Sequence, residues 1–181
     1  MLTTLTNVKS WLGLTANADS DELLTRLIVA ASTFIESWCG RSFAVQDYTE
    51  HRSGTGNDML MFGAWPVTAV ASVTVDGRPI PAAVDFHSPG YRFDENAVVL
   101  QGYQFSRGRR NVTLTYTAGY ATVPADIEQA CIDLVALRFK ERDRIGHQSK
   151  SLAGETVTFF IGELSPSARA TLAQYKKVVP I

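Results

Sequence analysis

The sequence is short of charge. Only 19% of its 181 residues are Asp, Glu, Lys or Arg, against about 25% in an ordinary soluble domain. The 17 basic and 18 acidic residues nearly cancel, which excludes a chain-wide polybasic nucleic-acid binder whose affinity rests on an excess of Lys and Arg. Cysteine is scarce too. Cys39 and Cys131 lie far apart, each inside an apolar helical pattern. They read as buried free thiols, not as the framework of a small disulfide-stapled fold. No apolar run approaches the ~20 residues a membrane-crossing helix needs, and the N-terminus has no signal-peptide core. The expectation is a globular protein made in a reducing cytoplasm. A hydrophobic content of 45% excludes disorder and suffices for a core.

Catalytic vocabulary is also thin. His51, His87 and His147 fall in separate segments with no ligand-like spacing, so neither zinc nor a catalytic histidine is expected. Ser53-Gly54-Thr55-Gly56-Asn57 resembles a phosphate-binding loop in glycine content only. No Gly-Lys-Ser/Thr follows, and it reads as a strand connection. Asp85, Asp94 and Glu95 are acids in turns, where solvation is the ordinary state. No catalytic residue, cofactor or metal is expected.

What is present is a clear segment order. Thr4 can cap a short helix with Leu5, Val8 and Leu12 on one face, ended by Gly13. Asp19 to Glu22 has capping-box spacing, followed by Leu24, Leu27, Ile28, Ala31, Ile35 and Trp38 at helical spacing and a stop at Gly40. Beyond Phe43 the period changes to two. Val67, Ala69, Ala71, Val73 and Val75 alternate with Thr68, Val70, Ser72 and Thr74, and Asp76-Gly77 is a hairpin turn. Val112, Leu114 and Tyr116 alternate with Thr residues, and shorter strands are predicted at Val45–His51, Asp58–Phe62, Tyr91–Phe93 and Val98–Gln101. About six antiparallel strands suggest a small sandwich or open barrel. A second long helix opens at Pro124, with Asp126 and Glu128 in its first turn and Ile127, Ala130, Cys131, Leu134 and Val135 as its stripe.

After Gly146 large apolar residues thin out. His147–Gly154 has the composition of a flexible connector, Thr156–Ile161 is a short β-prone run, and Ser165-Pro166 opens a last helix bearing Ala168, Leu172 and Tyr175. This tail docks either on its own body or on a partner. Arg107, Arg109 and Arg110 form a basic loop that is either a solvated hairpin end or a contact to DNA or an acidic neighbour.

The phrases themselves occur in a recognisable order. Leu5–Leu14, Ile35–Phe43 (IESWCGRSF), Trp65-Pro66-Val67 with Asp76-Gly77, Tyr116–Tyr120 (YTAGY) followed by Val123–Ile127 (VPADI), and Leu137-Arg138-Phe139 with the Ser165-Pro166 tail run nearly end to end. Together they resemble the head–tail connector (adaptor, or head-completion) proteins of tailed bacteriophages and gene-transfer particles, in the version that carries a β domain between its helices. The resemblance implies an α+β fold with a helical base over residues 1–42 and 121–146, an inserted antiparallel β domain over 43–120, and an extended C-terminal arm over 147–181.

The same resemblance implies a structural protein with no enzyme activity, located at the neck of a virion. It would form a homo-oligomeric ring, dodecameric in the particle, under the portal. There it would extend the DNA channel, touch passing DNA transiently and offer a platform for the next neck or tail-completion protein. Thr156, Val157, Thr158, Phe159 and Phe160, with Leu172 and Tyr175, are the expected portal contacts, since a β-prone strip can add to a partner's sheet edge. The alternative is a single-strand nucleic-acid module on the β domain, with Tyr91, Phe93, Tyr103 and Phe105 stacking bases.

Overall fold

Local chemistry sets the helix ends. In the computed structural model, which describes residues 1–14, 18–142, 149–152, 155–158 and 164–177, helix α1 (Leu5–Leu12) begins where the Thr4 hydroxyl accepts the Asn7 N–H at 3.2 Å and ends at Gly13. Helix α2 (Asp21–Cys39) takes Ser20, without a side-chain cap bond, as its N-cap. The helix therefore starts one residue later than the Asp19 to Glu22 spacing suggests, with Leu23 as its third residue. Asp21 pairs with Lys9 of α1 at 2.7 Å. Pro124 occupies the N-cap of helix α3 (Ala125–Glu141). The expected stripe is buried, with Ile132 and Ala136 added, because α3 is contacted by α1, by α2 and by a last helix, α4 (Pro166–Ala173).

The chain divides into two units, Met1–Arg41 with Val123–Ile181, and Ser42–Thr122. The first is helical. Its N-terminal residues are part of the structure: Leu2 and Thr3 are buried, the Leu2 N–H donates to Ser32 Oγ at 3.0 Å and the Thr3 hydroxyl to Glu128 at 3.0 Å. Cys39 and Cys131 are buried free thiols. Burial is the leading cause that pushes both above the ordinary thiol pKa.

The second unit is antiparallel β. Its seven strands are β1 (Gln46–Gly54), β2 (Met59–Met61), β3 (Val67–Val75), β4 (Arg78–Ile80), β5 (Gly90–Phe93), β6 (Ala97–Gln101) and β7 (Gly108–Ala118). They form one sheet in the order β1-β7-β3-β4 and another in the order β2-β6-β5. Both contribute to one core, with Val73, Leu114 and Tyr116 from the larger sheet and Tyr91, Val98 and Leu100 from the smaller. The Asp76-Gly77 turn joins β3 to β4 with φ of 51° and 75°, the pair of positive values a two-residue hairpin requires.

The expected alternation along β3 fails in the middle. Val67, Val73 and Val75 are buried, yet Ala69 and Ala71 are exposed and Val70 packs on the core. Register shifts against β7 between Val67 and Ala69, and again between Val70 and Ser72, turn the strand over and back. At the other end of β7, Gly119 has φ 128° and backs against the Ala44 carbonyl so closely that no side chain fits. Its N–H donates to Pro66 O at 2.9 Å.

Strand β8 (Ser149–Leu152) pairs with β9 (Glu155–Thr158) in a two-stranded antiparallel sheet. Part of the expected connector at 147–154 is therefore strand. The Ser-Lys-Ser-Leu stretch has little β-branched content, and its strand state comes from pairing with the β-prone run that follows. Among the described residues no helix is long and apolar enough to cross a membrane.

Candidate docking surfaces

The C-terminal candidates separate into two groups. Thr156, Val157 and Thr158 lie on β9, opposite Ser151, Lys150 and Ser149, and Phe159 and Phe160 lie outside the described residues. Leu172 and Tyr175 sit elsewhere. Ser165 caps α4 by accepting the Ala168 N–H at 3.2 Å, and the helix then turns Leu172 inward to full burial. The Leu172 carbonyl receives the Cys39 thiol at 3.8 Å, and the Lys177 N–H donates to the Cys39 carbonyl at 2.7 Å. The Tyr175 hydroxyl donates to the Asp126 carboxylate, with oxygens at 2.9 and 3.1 Å. Both residues are thus engaged with α2 and α3 of their own helical unit. A helical stripe in the sequence tells which residues face inward together and not whose surface they face.

The basic segment is the second candidate. Arg107, Arg109 and Arg110 are exposed, and the last two belong to β7 and not to a loop before it. Gly54 pairs with Gly108, the Arg110 N–H donates to Ser53 Oγ at 3.1 Å, and Arg107 Nε donates to the Thr55 carbonyl at 3.3 Å. Asn111 ties this end together. Its amide nitrogen donates to Asp76 Oδ1 and to the Ser106 carbonyl, both at 2.9 Å, while its oxygen accepts the Gly54 N–H at 2.9 Å. Ser106 also donates to Asp76. The Ser106 and Asn111 hydrogen bonds hold the Asp76 carboxyl below its ordinary pKa. Sequence reasoning passed over Asn111 and the neighbouring exposed Arg78. The Asp-Gly turn was the available signal, since it sets Arg78 beside the Asp76 carboxylate.

The remaining sequence candidates resolve into structural roles. Asp85 accepts from the His87 N–H, the Ser88 N–H and the Ser88 hydroxyl at 2.8, 2.7 and 2.8 Å, and the Ser88 hydroxyl bond is the leading cause of its lowered pKa. Asp94 likewise accepts from the Asn96 and Ala97 N–H groups, both at 2.7 Å. Phe105 is fully buried and Tyr91 nearly so, which removes two of the four rings from the base-stacking alternative. The loop stiffened by Asp85 also presents Val84 and Phe86, at 93% and 78% exposure. The Phe86 ring stacks under the Arg92 guanidinium at 4.3 Å. Arg92 lines a groove of about 950 Å³ with Asp58, Gln101, Tyr103 and Gln104. Among the described residues no group of three His, Cys, Asp or Glu side chains could hold a metal ion.

The chain is thus a helical unit interrupted by an antiparallel β unit, with exposed arginines and exposed apolar side chains as its outstanding surface features. Comparison with known families makes the assignment: the chain belongs to the head completion protein family, whose model matches residues 1–178. Its role is accordingly structural, at the head–tail region of a phage-type particle. The fold is similar to a chain in the neck of an empty gene transfer agent (GTA) particle computed with C6 symmetry, with 19% identity over 98% of this chain and 90% of the other and a TM-score of 0.60. It is also similar to a chain of the native GTA virion, with 19% identity, the same coverage and a TM-score of 0.59. A chain of the native GTA neck computed with C12 symmetry gives 17% identity over 98% and 91%, with a TM-score of 0.55. No curated protein matches the sequence.

Proposed function

We propose that this chain is the head–tail adaptor of a tailed phage or gene-transfer particle. It assembles as a ring beneath the portal once the genome is inside, extends the DNA channel, and presents a platform to the next neck or tail-completion protein. The observation that carries this reading is the family match along residues 1–178. The likenesses to chains in necks computed with C6 and with C12 symmetry support a cyclic arrangement, which in this reading is a ring of twelve copies. Closing such a ring takes two different lateral faces on each copy, and a net charge of −1 keeps crowded copies from repelling one another. The β-domain alternative, a single-strand nucleic-acid module, keeps only Phe93 and Tyr103 of its four stacking rings exposed, because Phe105 and Tyr91 belong to the core.

The portal contact is assigned to Thr156, Val157, Thr158, Phe159 and Phe160. Strand β9 is paired on one side with β8, and the sheet has no third strand among the described residues. Its other edge is available for strand addition, where backbone bonds supply affinity and alternate side chains supply specificity. Leu172 and Tyr175 act differently in this reading, as the anchor that fixes α4 on the helical unit. The test is reconstitution of the full chain with a purified portal ring, viewed by electron microscopy. A ring of this chain under the portal is expected. A triple variant, Val157→Asp with Phe159→Ser and Phe160→Ser, should stay folded and fail to bind. No ring with the native chain contradicts the adaptor reading, and undiminished binding of the variant contradicts the strand assignment alone.

A further inference from the structure

We propose that the tip of the β unit, formed by Arg78, Arg107, Arg109 and Arg110, is a contact site for the phosphate backbone of duplex DNA. The inference rests on the adaptor reading only for why DNA would pass nearby. Charge in this unit is segregated along its length. Residues 42–122 contain six arginines and no lysine, and four of the arginines sit at one end. Gly54 opposite Gly108 marks that end, and Gln46 opposite Ala118 marks the other, where the chain enters and leaves the unit. The acidic turn Asp94-Glu95 lies at this second end, its Glu95 carbonyl accepting the Val67 N–H at 2.9 Å, with Val67 paired to Ala118. Two acids adjoin the basic tip: Asp76, engaged by Asn111 and Ser106, and exposed Asp58, which follows Asn57 on the side of the smaller sheet.

The composition of the tip favours a phosphate backbone over a protein surface. Its segments are Gly-Thr-Gly-Asn at 54–57, Asp-Gly-Arg at 76–78 and Ser-Arg-Gly-Arg-Arg at 106–110. None contains an apolar side chain, and a protein interface is organised around a desolvated apolar centre. Small and glycine residues allow close backbone approach, and the planar guanidinium fork matches phosphate oxygens. Asn111 holds the three segments in one arrangement, so the arginines are presented on a fixed frame. A contact confined to phosphate oxygens carries no sequence information, so it is independent of sequence. With at most four phosphates neutralised, the slope of log affinity against log salt is about −3.6, and affinity falls on the order of 100-fold between ~50 and ~200 mM salt. Such a contact lets duplex slide and does not clamp it.

The experiment uses the full chain and a fluorescent duplex of about 20 bp, followed by anisotropy from ~20 mM salt upward. Binding with that slope is expected, independent of base sequence. Arg107→Gln with Arg109→Gln and Arg110→Gln should remove most of it, and Arg78→Gln alone should lower the slope by about 0.9. The pair Arg26→Gln and Arg169→Gln, on exposed positions of the helical unit, should leave binding essentially unchanged. Absence of binding at low salt, or loss caused by the helical pair and not by the tip variants, overturns the proposal. Capture of a poly-glutamate peptide with no affinity for duplex also overturns it, in favour of an acidic protein partner. Ring formation on the portal by the tip variants is scored separately, so failure of this site and failure of the adaptor reading are distinguishable.

Discussion

The two units are held together in different ways. The helical unit is closed by groups that come from both ends of its chain: Leu2 on Ser32, Thr3 on Glu128, Tyr175 on Asp126, Lys177 on Cys39 and Leu172 in its interior. The β unit is one continuous stretch, closed by the ladders of β7 with β1 and β3 and by a core between its two sheets. A unit closed by its own distant ends feels any change in its C-terminal segment. A unit closed by register feels changes at the few places where backbone approaches backbone. The C-terminal segment accordingly has two halves with different work. Helix α4 is core, and the β8–β9 strip before it is the proposed portal contact.

The largest effect should come from Leu172→Ala, about 2–5 kcal/mol for a fully buried leucine. The loss should appear as faster hydrogen exchange in α2 and α3, with β7 unchanged. Leu114→Ala, equally buried in the β unit, should cost a similar amount and give the reverse pattern. If either variant loosens both units equally, the comparison breaks. Next comes Gly119→Ala, which meets an unfavourable φ and the Ala44 backbone together. About 1–3 kcal/mol is expected, measured by denaturant titration and confined to the β unit.

Tyr116→Phe is smaller and more local. The hydroxyl donates to Glu50 Oε1 at 2.8 Å and accepts the Ala64 N–H at 3.0 Å, so its removal leaves two groups without a partner, at roughly 1–2 kcal/mol. Hydrogen exchange at Ala64 should accelerate first. The smallest effect is in pH. Burial raises Cys39 and Cys131 in the helical unit and Tyr116 in the β unit. A folded state that holds its protons more tightly is fully stabilised below the unfolded pKa, and loses that contribution as pH rises toward the folded value. The helical unit should therefore begin to weaken above the ordinary thiol value near ~8.5, and the β unit only above the phenol value near ~10. Loosening of the β unit first on alkaline titration would contradict this order.

What the sequence shows of this molecule follows how local the cause is. Thr4, Gly13, Gly40 and Ser165 act within one helical turn, and the stripes of α2 and α3 are periodic, so both were readable. The start of α2 falls one residue later than expected, with Ser20 and not Asp19 at its N-cap. The exposed Ala69 and Ala71 come from bulges that depend on a partner strand, and β8 exists through pairing with β9. At the candidate surfaces, the run Ser-Arg-Gly-Arg-Arg is visible in the sequence, while Arg78 joins it only through the Asp76-Gly77 hairpin, and the bonds by which Asn111 ties three segments together depend on the folded chain. Leu172 and Tyr175 were assigned to a partner because an amphipathic helix in a tail does not say what it lies on.

The central claim, that this protein completes the head and joins it to the tail, is tested most directly by electron microscopy of particles assembled without it. The account predicts DNA-filled heads that carry portals and lack tails, with tail attachment restored when the protein is supplied. Tailed, infectious particles in its absence would contradict it.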